Sequence, residues 1–229
     1  MRAKLRRRAI FIKKKCYIIG AYCSDENRPI SKKEDDIIIA ADGGFDVLQK
    51  NSVRADVLIG DFDSIEKIPD HENIIRHPVE KDDTDTFLAY KTAYKMGYRN
   101  FIIYGGIGGR IDHTMANLQT LVNIAQNGGR GFLVGENCII TAISNGNISF
   151  SENQSGIISI FSLEKACGVN IEGLKYCAQD LTITPDYPIG VSNSFTGKKA
   201  TISVDSGSLL IFWYDSAENF EKYSEKLFI

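Results

Sequence analysis

The sequence has no hydrophobic stretch long enough for a membrane helix, and it has few cysteines. Its longest apolar runs fall far short of the ~20 residues that a transmembrane helix needs. Residues 9–12 are also too short for the hydrophobic region of a secretory signal peptide. The five cysteines are odd in number, and no two have Cys-x-x-Cys spacing. These absences predict a reduced, cytoplasmic protein with no membrane partner.

The remaining composition is that of an ordinary soluble globular protein. The chain has 229 residues, of which 43% are hydrophobic and 24% charged, enough for one large domain or two small ones. The net charge of −2 conceals a basic leader, because residues 1–15 hold eight of the 27 basic residues and no acid. Such an arm could contact RNA or membrane phosphates, but it has little aromatic content for stacking on bases. We therefore expect a solvated leader and no nucleic-acid partner.

The first half of the chain alternates strand and helix patterns. Continuous apolar runs rich in β-branched residues predict buried strands of a parallel sheet, and they occur at residues 15–20, 37–42, 56–60 and 101–105. Amphipathic stripes predict helices over residues 83–96 and 112–126. The prediction is an α/β fold with a doubly wound, mostly parallel sheet over residues 16–138.

The pattern changes near residue 136. Short strand-like runs follow, separated by turn residues, with Asn145-Gly146 as a hairpin signal. They predict an all-β sandwich over residues 139–215, with the boundary between Gly135 and Gly146. Residues 216–229 are predicted to be a charged tail.

Two acidic clusters follow predicted strands. Asp61 and Asp63 are two residues apart after the third strand, and Asp85 lies in the sequence Lys81–Asp85 at the start of a helix. Carboxylates at one sheet edge suit Mg²⁺, which prefers hard oxygen ligands and keeps substrate phosphates as others. The simpler explanation is an exposed turn followed by an acidic helix start, where Asp83 caps the helix. Asp112 is expected to cap the next helix in the same way.

The third cluster, Gly105–His113, contains four glycines in five residues and then Arg110, Asp112 and His113. The glycines allow the backbone to approach a ligand closely, and a guanidinium recognises phosphate oxygens in a planar, bidentate manner. His113 is either a phosphate donor or a packed residue of the first helical turn. Together with the acids, this cluster favours phosphoryl-type chemistry.

Two further polar segments are weaker candidates. Asp42 ends the second predicted strand, where it could orient a substrate hydroxyl or amine, or cap the following helix. Ser192-Asn193 in the β region is most simply a hairpin loop.

These motifs, in this order and spacing, resemble those of the thiamine pyrophosphokinase (thiamine diphosphokinase) family. The resemblance covers roughly residues 16–214 and rests on four segments, at residues 42–44, 60–64, 77–85 and 105–113. It implies an α/β catalytic domain that binds ATP and Mg²⁺, followed by a β-sandwich that binds thiamine. It also implies a homodimer with active sites between subunits, and transfer of diphosphate from ATP to the hydroxyethyl oxygen of thiamine.

The resemblance also implies roles for individual residues. Asp61, Asp63 and Asp85 would hold Mg²⁺, while Lys81 and Arg110 neutralise charge that develops on phosphate oxygens. The residues that would cradle phosphate are Ser64, Thr84, Gly105, Gly106, Gly108, Gly109 and His113. Asp42, Ser192 and Asn193 would contact thiamine, with Phe195 or Trp213 as the aromatic surface. The general base is not assigned.

Two other functions compete with this one. A metal-dependent phosphohydrolase would use similar acids and release inorganic phosphate. A regulator that binds nucleotide or thiamine without turnover would keep the glycines but has no need of the acids, which are all present here.

Overall fold

A computed structural model of the protein describes residues 14–22, 30–61, 71–76 and 82–228. The strands of the first half are β1 (Lys15–Ile19), β2 (Ile37–Ala41), β3 (Val57–Gly60), β4 (Ile74–Arg76), β5 (Asn100–Tyr104) and β6 (Arg130–Val134). Those of the second half are β7 (Ile139–Phe150), β8 (Ile157–Phe161), β9 (Ala166–Glu172), β10 (Ala178–Ile183), β11 (Asn193–Ser194) and β12 (Ala200–Trp213). The helices are α1 (Gly44–Lys50), α2 (Asp85–Lys95), α3 (Ile111–Gln126) and α4 (Ala217–Tyr223), and a 3-10 turn (Ser224–Lys226) follows α4.

The first half is a parallel sheet in the order β6-β5-β1-β2-β3-β4. Its central strands are buried on both faces because alternate residues enter two different cores. Tyr17 and Ile19 belong to one hydrophobic cluster, whereas Cys16 and Ile18 belong to the other. This double burial explains why the strands read as continuous apolar runs in the sequence.

Helices cover both faces of the parallel sheet. The buried residues of α2 and α3 share a core with one face, and those of α1 and α4 with the opposite face. The α4 helix lies in the segment predicted to be a charged tail. Its Phe220 is fully buried, and the ring centroid lies 5.1 Å from that of Phe132 in β6. The buried apolar residues of this segment complete the helical layer on this face of the sheet.

The second half is β-rich and continues the same sheet. Strand β6 pairs antiparallel with β7, and β7 pairs with β12 along most of its length. The other edge of β12 pairs with β9 in its first half and with β8 in its second half, so the sheet forks there. The domain boundary predicted between Gly135 and Gly146 stays a prediction, and β6 and β7 pair with each other on either side of residue 138.

The predicted hairpin at Asn145-Gly146 is wrong. Strand β7 runs through these residues without a turn. Asn145 does adopt a positive φ of 46°, and its Oδ1 accepts a hydrogen bond from the N–H of Gly207 at 3.0 Å. The pairing with β12 shifts register opposite this point, between Val204 and Ser208. The positive-φ signal was therefore correct, but it produces an irregularity in a long strand rather than a chain reversal.

The predicted fold class is confirmed: a parallel sheet covered by helices precedes a β-rich region. In the part of the chain that the structure describes, no helix has both the length and the apolar character required to cross a membrane.

The buried face of α4 predicts that this helix contributes substantially to stability. Phe220→Ala should lower the free energy of unfolding by about 3–5 kcal/mol, because it leaves a cavity between the helix and the sheet. Urea denaturation measures this effect. Lys222→Ala, on the exposed side of the same helix, should change stability by no more than about 0.5 kcal/mol. Equal effects of the two substitutions would mean that α4 does not pack as described.

Candidate active site

A cavity of about 860 Å³ lies at the carboxyl ends of the parallel strands. It lies where the chain order reverses: β2 is on one side of β1, and β5 is on the other. Open α/β sheets bind ligands at such a switch point, and ligand cavities have volumes of ~300–1,000 Å³. The cavity is lined by residues that follow β1, β2, β3 and β5, and by the first turns of α2 and α3.

Two glycines extend the pairing of β1 and β5 beyond the ends of both strands. Gly20 donates its N–H to the carbonyl of Tyr104 at 2.8 Å, and Tyr22 donates to that of Gly105 at 3.2 Å. A Cβ on Gly105 would clash with the carbonyl oxygen of Gly20, and φ at Gly105 is +70°. Only glycine satisfies both conditions without strain.

Carboxylates form one side of the cavity. Asp42, Asp61 and Asp85 come from three elements and all line it, as does Asp83. Asp42 follows β2 with a positive φ of 48°, and its N–H donates to the carbonyl of Ile59 at 2.8 Å, which anchors it to the end of β3. Asp83 forms an ion pair with Lys91 at 2.6 Å. Of the predicted metal ligands, Asp61 and Asp85 line this cavity together with Asp42, and their roles stay predictions.

Thr84 caps the start of α2. The expected cap, Asp83, does not do so. The Thr84 hydroxyl oxygen accepts a hydrogen bond from the N–H of Phe87 at 3.3 Å. A carboxylate one residue earlier is therefore left available for Lys91. Thr84 also lines the cavity, where its hydroxyl proton is in a position to reach a ligand.

The glycine turn and the first turn of α3 form another part of the cavity wall. Gly105, Gly106, Gly108 and Gly109 line it together with Arg110 and His113. The turn is held by the N–H of Gly108, which donates to the hydroxyl of Thr114 at 3.3 Å. A helix N-terminus next to a glycine-rich turn favours an anion, because both present backbone N–H groups.

Arg110 occupies the N-cap position of α3 and makes a forked contact with Asp112. Its Nη2 donates to Asp112 at 2.6 Å and its Nε at 3.2 Å. The guanidinium beside it holds the pKa of the Asp112 carboxyl below its usual range, and the same hydrogen bond raises the pKa of Arg110. Asp112 therefore orients Arg110. The predicted role of Asp112 as the cap of α3 is wrong, because the N-cap residue is Arg110. A guanidinium has five donor hydrogens, so this contact leaves donors for a phosphate.

The sequence analysis missed two residues of this site. Asn117 is buried in α3, where its Nδ2 donates to the carbonyl of Gly106 at 2.9 Å and so positions the glycine turn. The only signal was a polar residue on the apolar face of a helix. Tyr22 lines the cavity, and its ring packs against the α-carbons of Gly108 and Gly109. Nothing in the sequence near Tyr22 indicated this contact.

The donor set fits a magnesium ion in its chemistry, since Asp61 and Asp85 offer hard carboxylate oxygens on one side of the cavity. Asp63, Ser64 and Lys81 lie outside the described residues. Within the described residues, no three His, Cys, Asp or Glu side chains come close enough to hold a metal. Asp63, the third predicted metal ligand, is not among those residues.

Ser192 and Asn193 do not line this cavity within the described chain. The Asn193 side chain is buried, and all its hydrogen bonds are with the main chain. It accepts from the N–H of Tyr176 and of Ser194, both at 2.9 Å, and donates to the carbonyl of Tyr176 at 2.7 Å. Asn193 therefore holds the segment around Tyr176 in place. Any contact of these residues with thiamine stays a prediction.

Of the two aromatic candidates, Trp213 is a core residue. Its ring is fully buried between Phe132, Phe150 and Phe220, and its Nε1 donates to the hydroxyl of Tyr223 at 2.9 Å. In this position the ring presents no surface to a ligand. Phe195 is partly buried against Phe150.

Comparison with known proteins gives one family for both halves of the chain. The model of "Thiamin pyrophosphokinase, catalytic domain" matches residues 31–133, and that of "Thiamin pyrophosphokinase, vitamin B1 binding domain" matches residues 147–209. A curated relative, Thiamin pyrophosphokinase 1 of Caenorhabditis elegans, is 28% identical over 190 residues, which is 76% of each chain.

Solved structures of similar fold carry the same name. Thiamine pyrophosphokinase from Bacillus subtilis has a TM-score of 0.75 at 22% identity, covering 88% of this chain and 99% of that one. Yeast thiamin pyrophosphokinase has a TM-score of 0.72 at 15% identity, covering 93% and 89%. At these identities the likeness establishes the fold.

The contact between Gly20 and Gly105 predicts that a side chain at position 105 destabilises the protein. The cause is a steric clash in addition to the positive φ. Gly105→Ala should lower the free energy of unfolding by about 1–3 kcal/mol more than Gly128→Ala. The two glycines have nearly the same φ, +70° and +72°, but a Cβ on Gly128 meets nothing within 4 Å. Gly105→Ala should also weaken binding of inorganic tripolyphosphate by about 10-fold or more, because it displaces N–H donors of the turn.

Chemical denaturation and titration calorimetry measure the two effects. Unchanged tripolyphosphate affinity in folded Gly105→Ala protein would show that the glycine turn does not bind phosphate.

Proposed function

We propose that this chain, which belongs to the thiamin pyrophosphokinase family, transfers the diphosphate group of ATP to the hydroxyethyl oxygen of thiamine and releases AMP. One observation carries the proposal beyond family membership. The cavity at the switch point is lined both by carboxylates from three elements and by a glycine turn with Arg110. Phosphoryl-type transfer needs both, since its catalysis consists mainly of positioning and charge neutralisation.

In this reaction the thiamine hydroxyl oxygen attacks the β-phosphorus of ATP. A new oxygen–phosphorus bond forms, the bond from the β-phosphorus to the oxygen bridging the α-phosphate breaks, and AMP leaves with that oxygen. The hydroxyl proton passes to a base, for which an aspartate of the acidic side is the candidate. The two sides of the cavity hold the acceptor and the triphosphate in line.

The glycine turn and Arg110 act on the phosphate oxygens. Asn117 holds the carbonyl of Gly106 in this turn, and Asp112 orients the guanidinium of Arg110. Fixed donors stabilise developing negative charge without having to reorganise during the reaction. Thr84, His113 and, from outside the described residues, Ser64 and Lys81 are proposed to add further donors.

We propose that Asp61, Asp63 and Asp85 hold Mg²⁺. When bound, the ion would neutralise phosphate charge and orient the transferred group. Asp42, at the same side of the cavity, is the proposed partner of the cationic thiamine.

A homodimer with shared active sites is also part of the proposal. Exposed large apolar side chains support it: Ile157, Ile189 and Val191 are each about half exposed, and Tyr187 is 64% exposed. They lie near one another, because the N–H of Ile160 donates to the carbonyl of Gly190 at 2.8 Å and so joins this segment to β8. Ser192 follows directly and would reach the partner's site. The cytoplasmic location rests on the cysteine pattern alone.

The direct test is to incubate the protein with thiamine, ATP and Mg²⁺, and to separate the products by chromatography. Thiamine diphosphate and AMP in equal amounts are expected. Inorganic phosphate without thiamine diphosphate would indicate a phosphohydrolase, and no turnover would indicate a binding protein.

The acidic side of the cavity predicts a large effect of a conservative change. Asp85→Asn should lower kcat by about 10²-fold or more, because it removes charge that faces the phosphates. Asp82→Asn is the matched control, since Asp82 is exposed nearby and does not line this cavity. Thermal unfolding should show that both variants remain folded. Near-normal turnover of Asp85→Asn would remove this residue from the reaction.

The predicted contact between the Ser192-Asn193 loop and thiamine is tested by substituting Ser192. Ser192 is exposed, so Ser192→Ala should leave stability within about 0.5 kcal/mol of the original. If this loop contacts thiamine, the KM for thiamine should rise by about 3- to 10-fold, as loss of one hydrogen bond predicts, while the KM for ATP stays constant. Ser151→Ala, at another exposed position of the β-rich half, is the control. Unchanged thiamine kinetics would exclude Ser192 from the binding site.

A further inference from the structure

Three buried polar residues lie side by side at the amino ends of β1, β5 and β6, at the end of the sheet opposite the candidate active site. Lys15 is the register partner of Asn100, and Asn100 is that of Arg130. Their exposed fractions are 2%, 4% and 8%. Lys15 and Arg130 each stand two residues before a member of one hydrophobic cluster, Tyr17 and Phe132 respectively. The three side chains therefore lie on one face of the sheet, in a single row.

The two cations of this row differ in their partners. The Nζ of Lys15 lies 3.8 Å from a carboxylate oxygen of Glu225 and 4.0 Å from one of Glu221. Arg130 is two strand spacings away, or ~10 Å, and within the described residues its guanidinium has one hydrogen bond, from Nη2 to the carbonyl of Asn147 at 3.2 Å. Its Nε and Nη1 are buried and have no hydrogen-bond partner there. Burial, with no compensating acid, lowers the pKa of Arg130 to about 10.

The unpaired donors of Arg130 form a bidentate edge. The Asn147 carbonyl uses one of the two hydrogens on Nη2. Whichever hydrogen it uses, the other one and the N–H beside it, on Nε or on Nη1, still point the same way. Buried donors are almost always paired, and an unpaired buried charge is costly. An oxyanion would satisfy this edge with two of its oxygens.

Asn100 restricts which oxyanion fits. Its Oδ1 is also buried without a hydrogen-bond partner among the described residues, and its strand is the direct neighbour of that of Arg130. A carbonyl oxygen only accepts, so it needs a ligand that donates a proton. Inorganic phosphate at neutral pH has unprotonated oxygens for Arg130 and a hydroxyl for Asn100, whereas sulfate has no hydroxyl.

We propose that Arg130 and Asn100 form a binding site for inorganic phosphate, separate from the candidate active site. Arg130 donates to two phosphate oxygens, and the phosphate hydroxyl donates to Oδ1 of Asn100. Since Arg130 is only 8% exposed, the site takes a single small ion and not a nucleotide. Arg130 belongs to the parallel sheet and its partner Asn147 to β7, so the bound ion stabilises the junction between the two halves of the chain.

The test measures thermal unfolding as inorganic phosphate is added at constant ionic strength. Excess tripolyphosphate is present throughout, because it competes for the candidate active site and is too large for the buried one. Phosphate at about 100 times its Kd should raise the Tm by about 5–10 °C. Arg130→Met, which keeps an apolar stem of similar length but has no donors, should lose this shift. Arg54→Met is the matched control, since the Arg54 side chain is 77% exposed, and it should keep the full shift.

A second variant, Asn100→Asp, decides the question if Arg130→Met does not fold. It has nearly the same shape and places a carboxylate beside Arg130, so it should abolish the phosphate shift by supplying an internal partner. In the original protein, sulfate should bind about 10-fold or more weakly than phosphate, because it leaves Oδ1 of Asn100 unpaired. No phosphate shift in the original protein, an equal shift in Arg130→Met or Asn100→Asp, or equal affinity for sulfate would overturn the proposal.

Discussion

The contact between the backbones of Gly20 and Gly105 is the constraint on which the site depends. At a switch point, the loops that follow two neighbouring parallel strands leave to opposite faces of the sheet. Here two hydrogen bonds, of 2.8 and 3.2 Å, hold the segment after β1 against the end of β5. The glycine turn consequently begins at the centre of the sheet edge. Asp42 and Asp61, at the ends of β2 and β3, then face it across the same cavity.

A second set of contacts ties the two halves of the chain together. Phe132 of the parallel sheet, Trp213 of β12 and Phe220 of α4 pack with ring centroids 5.1–6.3 Å apart. Since the β6–β7 pairing also crosses between the halves, the end of β12 is held beside the end of β6. A β-rich half joined only by a linker would have no such fixed relation to the site.

Much of the fold was predictable because it depends on local pattern. The parallel strands are buried on both faces, and their uninterrupted apolar runs indicated this directly. Errors arose where one local signal has two tertiary outcomes. Asn145 needs a positive φ in a hairpin and in an irregular strand alike, and only the pairing with Gly207 selects the second. Likewise, the sequence position of Asp83 allows it to cap α2. In the structure Thr84 caps the helix, and Asp83 forms an ion pair with Lys91.

The sequence by itself determined which residue types stand at the strand ends: aspartates after β2 and β3, glycines and Arg110 after β5. These follow from chain order, because parallel strands bring their carboxyl ends to one edge. Only the tertiary structure decided which side chains face the cavity. Asn117 and Tyr22 both line it but are far apart in the chain, and fully buried Trp213 is followed directly by exposed Tyr214. The reason is physical: alternation makes neighbours point to opposite faces, and packing alone settles which face is covered.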